Sequence, residues 1–286
     1  MNTAFQKLTM INDAFVDQLE VSDRGLAFGD GVFETLHLSC GRASLWNYHL
    51  DRLEVGCVRL GIAVSRAHLQ ASFQRFVSAI PAEANAVIKL IVTRGSGGQG
   101  YRPFKTCSPT LIWQCLPLAD TAHLAREGVV LHRCQLPIYP NPTLVGFKHL
   151  NRLDYVLAAK ALPEIPDIQG LLLDHKGNLL EAIHHNLFFV KDHVLMTPRM
   201  SDAGVKGVMR RLILERIAPA CSISVQEDDF PIDALIQADE VFLSNSVRGV
   251  WPVKLFEQKS WVVPGLVTSQ IQSQVEKIFT GMVIWE

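Results

Sequence analysis

Residues 145–157, "VGFKHLNRLDYVL", place Lys148 among small and aromatic neighbours at the entrance of a predicted amphipathic helix. Leu150, Leu153, Val156, Leu157 and Leu162 recur at roughly three- and four-residue intervals, the period of one apolar helical face. Pro140, Pro142 and Gly146 punctuate the chain ahead of it, so the lysine is expected on a loop-to-helix junction. The positive end of a helix disfavours an ammonium there and favours the neutral amine, the form that attacks a carbonyl. A Schiff-base lysine fits this position. So does an ordinary exposed lysine beside a helix start, the commoner fate of that residue type.

Outward from this stretch, 286 residues suit two domains of ordinary size. Apolar residues make up 48% and charged residues 19%, which predicts a soluble globular chain with a substantial core. A formal charge of −1 argues against nucleic acid or an anionic membrane as the main partner and points to a small molecule. The opening "MNTAFQKLTMINDAF" lacks the pattern of a secretory signal, and no apolar run is long enough to span a bilayer. Cys40, Cys57, Cys107, Cys115, Cys134 and Cys221 are scattered without a C-x-x-C pair. That favours reduced thiols in a cytoplasmic protein over disulfides or a metal site, and no metal is expected.

Strands are predicted at "VFETLHLS" (32–39), "AVIKLIVTRG" (86–95) and "PTLIWQCLPL" (109–118), and helices at "HLDRLEVGCVRLGI" (49–62) and "HLQASFQRFVSAI" (68–80). Residues 117–128 read as a connection between a first domain, 1–116, and a second, 129–286. In the second, "VVLHRCQLPIY" starts a strand and residues 170–198 form a meander of three runs separated by "HKGN" and "KDH". "SDAGVKGVMRRLILERIA" opens with capping residues and becomes a helix. "DEVFLSNSVRGVWPV" supplies a buried strand leading into a polar loop.

Four separated features suit a ligand carrying a phosphate, a carbonyl and a ring nitrogen. In "DAGVKG" the glycines let the backbone approach closely, and a following helix would offer N–H groups to an anion at Val205 and Lys206. A plain helix cap reads equally well there. Ser246 in "LSNSVRG" is a hydroxyl donor for the same anion, or a residue of a solvated loop. Arg52 in "HLDRL" is a bidentate donor suited to phosphate, or an exposed helix arginine. Glu181 stands among apolar strand neighbours; if buried, its carboxylate needs a partner, which a protonated pyridine nitrogen would be, and if on an edge it faces water. His184 and His185 would project to opposite faces of one strand. "RGSGGQGYR" (94–102) departs from the known phosphate-loop patterns and reads as a flexible active-site loop or a surface loop, with Arg94 and Arg102 as carboxylate binders.

Taken together, "DRGLAFGDGVFETL", "YHLDRLEVGCVRLGI", "GFKHLNRLDYVLA", "LLLDHKGNLLEAIHHNLFFV" and "TPRMSDAGVKGVMRRLI" resemble, in this order, the signature stretches of the class IV, fold-type IV pyridoxal-phosphate enzymes. That group comprises branched-chain aminotransferases, D-amino acid aminotransferases and aminodeoxychorismate lyases. The resemblance implies a mixed α/β, α+β fold with a smaller N-terminal α/β sandwich and a larger C-terminal α/β pseudo-barrel. It implies pyridoxal 5'-phosphate as cofactor and a homodimer as the assembly. By resemblance, Lys148 forms the Schiff base, Glu181 pairs with the ring nitrogen, and Arg52, Ser246 and the N–H groups of Val205 and Lys206 hold the phosphate. Thr35 is a candidate proton relay. Arg94, Arg102, Lys105, Asn245 and Arg248 are candidates for the substrate. "KHLNR" is most similar to the lyases, whereas the branched-chain enzymes carry tyrosine where this chain has Arg152. Gln99 and Tyr101 stand where D-amino acid aminotransferases carry an Arg-x-His carboxylate trap. The expectation is therefore a lyase, with an aminotransferase or a non-catalytic cofactor carrier as alternatives.

Overall fold

In the computed structural model, which describes residues 8–282, the chain forms two compact units, 8–119 with 147–151 and 120–146 with 152–282. The first contains β1 (Leu8–Ile11), α1 (Arg24–Phe28), β2 (Gly31–Ser39), β3 (Arg42–Ala43), α2 (Trp46–Leu60), α3 (Arg66–Val77), β4 (Asn85–Thr93) and β5 (Thr110–Pro117). Its antiparallel sheet runs β1-β5-β4-β2-β3. Period-two alternation turns Val32, Leu36, Leu38, Ile88, Leu90 and Val92 into a buried face. α2 lies against that face closely enough that a Cβ on Gly56 would stand 2.9 Å from Val32 Cγ1 and 3.0 Å from Phe147 Cδ2. Only glycine permits this approach.

β3 pairs only with the far end of β2, which leaves its first residues an open edge. Residues 148–150 fill it: Phe33 N donates to the Lys148 carbonyl at 2.8 Å, Leu150 N donates to the Gly31 carbonyl at 3.0 Å, and Val32 bridges His149. The expected domain boundary therefore needs one amendment, since this short segment of the later sequence completes the first unit's sheet. The loop-to-helix placement of Lys148 needs only a refinement. It lies in irregular chain ahead of the helix, as expected, but is held on the edge of β2, and the helix begins only at Leu153.

The second unit contains α4 (Leu124–Glu127), β6 (Val129–Arg133), α5 (Leu153–Lys160), β7 (Ile168–Leu173), β8 (Leu179–Ala182), β9 (Asn186–Lys191), β10 (Val194–Pro198) and α6 (Val208–Leu212). A π-helical turn at Ile213–Ile217 follows, then α7 (Ala218–Ala220), β11 (Val225–Asp228), α8 (Ile232–Ile236), β12 (Glu240–Asn245), β13 (Gly249–Phe256), β14 (Lys259–Ser260) and α9 (Leu266–Phe279). A nine-stranded mixed sheet runs β11-β10-β9-β12-β13-β6-β7-β8, with β14 on β13. Leu131, Leu171, Leu187, Phe189, Leu243, Val253 and Phe256 form its main core.

Two expectations fail here for local reasons. The meander has four strands rather than three, because a turn at 183–184 separates β8 from β9. His184 and His185 thus belong to a turn instead of the two faces of one strand. α5 also presents the opposite side from the one its leucines suggest. Leu153, Val156 and Leu157 are 66%, 58% and 45% exposed, while Tyr155, Ala158, Ala159 and Leu162 pack on Cys134, Ile138, Leu172, Leu180 and Ile183.

Candidate active site

In the first unit the pairing of 148–150 with β2 sets Lys148 opposite Phe33, so its side chain emerges on the same face as Phe33 and Thr35. Lys148 Nζ lies 4.5 Å from the centre of the Phe33 ring, and Lys89 Nζ, from the residue paired with Thr35, lies 5.5 Å from it. The structure thus brings Lys148 and Thr35 to one sheet face.

Arg52 belongs to the buried side of the same sheet, where α2 carries it to Glu34. Its Nε donates to Glu34 Oε1 at 2.8 Å and its Nη2 to Oε2 at 2.5 Å, while Glu34 Oε2 lies 2.6 Å from His49 Nδ1. Burial alone would raise the Glu34 pKa, but the Arg52 charge and the two sets of hydrogen bonds outweigh it and bring the carboxyl down to about 2. Burial pushes the His49 pKa down, against the pull of Glu34 and with the help of the Arg52 and Lys148 charges. Sequence gave no sign of Glu34 or His49 as partners of Arg52, because the three meet only when α2 folds onto β2.

Arg94 has a different occupation from the expected one. Its Nε and Nη2 grip Asp30 at 2.7 and 2.9 Å, and its Nη1 and Nη2 donate to the carbonyls of Gly61 and Leu60 at 2.9 and 2.7 Å. These bonds tie β4 to the end of α2, which corrects its assignment as a substrate ligand. Arg24 Nε donates to the same Asp30 oxygen, Oδ2, at 3.0 Å, and its guanidinium donates to the carbonyls of Gly97, Gly100 and Tyr101 at 3.3, 2.9 and 3.0 Å. The glycine-rich loop is thereby tethered. Arg102 is exposed in a turn in which its N–H and carbonyl pair with Gln99.

In the second unit Glu181 is buried, with donors converging on it. The Tyr155 hydroxyl donates to Oε1 at 2.5 Å, Asn186 Nδ2 to Oε2 at 3.1 Å, and Val205 N to both oxygens at 3.1 and 3.3 Å. Gly204 (φ +85°) makes the turn that delivers Val205; a Cβ there would stand 2.9 Å from Met200 Sδ and 3.4 Å from Glu181 Oε1. Lys206 N donates to the Gly146 carbonyl at 2.9 Å. The expectation of two outward N–H groups at a helix start is therefore corrected: both have partners in the chain, and the helix begins later, at Val208.

Ser246 is buried, whereas Asn245 shapes its turn by accepting from Val247 N and Arg248 N at 3.0 and 2.7 Å. Arg248 is half-buried, and burial lowers its pKa. Ser244, which no sequence motif marks, is fully buried with no hydrogen-bond partner for its hydroxyl among the described residues. It pairs across the sheet with Asn186, so both side chains share a face. Its period-two spacing from Ser246 was the signal available.

A mixed two-unit α/β architecture of this kind, with a lysine held at a sheet edge in one unit and a buried, multiply bonded carboxylate in the other, is that of the fold-type IV pyridoxal-phosphate enzymes. The chain matches the family described as Amino-transferase class IV over residues 31–256 and belongs to it. It is 34% identical over 234 residues to an aminodeoxychorismate lyase of Vibrio harveyi, spanning 82% of this chain and 85% of that protein. It is 28% identical over 261 residues to a D-alanine aminotransferase of Listeria innocua, spanning 86% and 84%. A solved structure of 4-amino-4-deoxychorismate lyase from Pseudomonas aeruginosa is similar with a TM-score of 0.90 and 39% identity, covering 94% of this chain and 98% of that one.

The family uses pyridoxal phosphate. The residues present fit that group. Hydrogen-bond donors around Glu181 favour its ionised form, the partner a protonated ring nitrogen requires, and the buried Ser244 hydroxyl leaves an unmet polar group on the sheet face that bears Asn186.

Proposed function

We propose that this chain is an aminodeoxychorismate lyase, eliminating pyruvate from 4-amino-4-deoxychorismate to leave 4-aminobenzoate, a folate precursor. The observation that carries the reading is its 39% identity, across nearly the whole of both chains, with the solved Pseudomonas lyase. The "KHLNR" run, with Arg152 at the position of the branched-chain tyrosine, supports it.

Pyridoxal phosphate, when bound, supplies a carbonyl that takes up the substrate amine and a ring that accepts the electron pair of the broken C–H bond. Lys148 Nζ removes the proton from the amine-bearing carbon. Glu181 would pair with the ring nitrogen and keep it protonated. Thr35, on the sheet face that bears Lys148, relays the proton taken up by Lys148 to the departing enolpyruvyl oxygen, and loss of that group makes the carbocycle aromatic. Arg52, kept rigid by Glu34, and Ser246 would hold the phosphate. Val205 and Lys206 join them only by exchanging their present N–H partners, Glu181 and the Gly146 carbonyl. Arg102, Arg248 and Asn245 are assigned to the substrate carboxylates.

The test is release of pyruvate and 4-aminobenzoate from aminodeoxychorismate by the holoenzyme. Equimolar release, falling at least about 1,000-fold in Lys148→Ala, is the expected result, since covalent attachment and proton transfer are lost together. Exchange of amino groups between an amino acid and 2-oxoglutarate, with no 4-aminobenzoate formed, would instead establish an aminotransferase. The Listeria relative is of that kind. Against its specificity, Gln99 and Tyr101 lack the charge to trap a carboxylate.

A further inference from the structure

Tyr155 stands out on α5. The helix leaves Leu153, Val156 and Leu157 in solvent, yet sends this one polar aromatic inward. Its ring packs on the cluster of Cys134, Ile138, Leu172, Leu180 and Ile183, the Arg152 guanidinium lies 4.8 Å from the ring centre, and its hydroxyl ends on Glu181 Oε1. Burial, reinforced by the Glu181 charge, pushes the phenol pKa well above 10, against the opposing pull of Arg152. The hydroxyl therefore remains a donor and the carboxylate an acceptor.

We propose that Tyr155 is a positioning residue: its hydroxyl holds Glu181 ionised and aimed, so that the proton Glu181 shares with the cofactor's ring nitrogen stays on the nitrogen. The inference rests on the proposed function only through the pairing of Glu181 with that ring. Each hydrogen bond donated to a carboxylate lowers its affinity for a proton. A proton shared between Glu181 and a pyridine nitrogen then settles on the nitrogen, and a protonated ring is the stronger electron sink. Asn186 and Val205 donate to the same carboxylate, but they are also committed to the turn itself, since Asn186 Nδ2 bonds the Val205 carbonyl at 2.9 Å. Tyr155 is the donor that comes from a separate element and can be removed without rebuilding the turn.

Tyr155→Phe keeps the ring and its packing and deletes only the donor. The probe is pyridoxal phosphate labelled with nitrogen-15 in the ring, bound to wild-type and variant holoenzyme and read by its nitrogen chemical shift. The wild type is expected to give a protonated ring nitrogen and the variant a signal displaced toward neutral pyridine. Cofactor retention in the variant, measured by equilibrium dialysis, should weaken about fivefold, the scale of one hydrogen bond. A merely structural tyrosine would lower the melting temperature and leave the nitrogen signal where it was, and that result overturns the inference. So does an unprotonated ring in the wild type. Should Tyr155→Phe fail to fold, Tyr155→Met removes the same donor with similar bulk, and the same displacement is required of it. Absence of 4-aminobenzoate formation would sink the lyase reading while leaving the nitrogen signal readable, so the two failures are distinct.

Discussion

Glu34 shows how one residue can tie a fold to the chemistry it supports. Buried beneath α2, it neutralises Arg52 and orients it while accepting from His49, so its ionised form is part of the folded state. Its pKa of about 2 in the folded chain lies below the ordinary 4.5. A carboxylate with a depressed pKa contributes stability that is fully present above its unfolded value and is lost as pH falls through the folded one. The window for Glu34 therefore runs from about 4.5 down to about 2, with on the order of 3 kcal/mol at stake. Denaturant titrations at pH 7 and pH 3 should show wild type losing part of its advantage over Glu34→Gln, which has no carboxyl to protonate. At pH 7 the variant should be about 3–5 kcal/mol less stable, because it leaves the Arg52 charge buried without its counter-ion. A gap between the two proteins that does not narrow on acidification would show that Glu34 is not ionised in the fold.

At the scale of elements, the segment after β4 is organised by one carboxylate and two arginines. Asp30, whose pKa is lowered by Arg94 and Arg24 in spite of its burial, anchors Arg94 to the end of α2 and Arg24 to the carbonyls of the glycine-rich loop. Arg24→Leu should raise amide hydrogen exchange in residues 96–102 at least about tenfold, as expected when the donor to several loop carbonyls is lost, while β2 and β4 keep their protection. The sequence made this loop visible but not its tether, since the contacts of Arg24 lie far along the chain. The same division runs through the whole fold. β2, β4, β5, α2 and α3 were legible because their residues alternate or recur with the period of the element they form. The edge pairing of residues 148–150 was not, because it is set by the open edge of β2 rather than by any local pattern. The leucine periodicity of α5 shows a helix but not which side is buried, since periodicity finds an apolar face without saying what covers it. Glu181 stood out as a carboxylate among apolar neighbours, but Tyr155 and Val205 converge on it only through tertiary folding, and Asn186, five residues on, was the one partner within local reach.

For the whole molecule, the outward face of α5 raises the question of what it meets. Three large apolar side chains, Leu153 and, one helical turn on, Val156 and Leu157, are exposed on α5, in a chain whose charge of −1 offers little electrostatic protection against association. Apolar surface of this kind on a helix is stabilised when a second apolar surface covers it, and the class IV resemblance implies a second copy of the chain. We propose a homodimer in which this stripe contributes to the contact. Sedimentation equilibrium of the wild type at micromolar concentration should return twice the 31.8 kDa chain mass. Leu153→Glu combined with Val156→Glu should weaken the dimer by at least about 100-fold, the cost of placing two charges in a desolvated contact. Because both side chains are in solvent in the single chain, the double variant should unfold at nearly the same denaturant concentration as the wild type when both are diluted to monomers. A wild type that sediments as a monomer would remove the homodimer. A double variant that remains a dimer would move the contact to another surface.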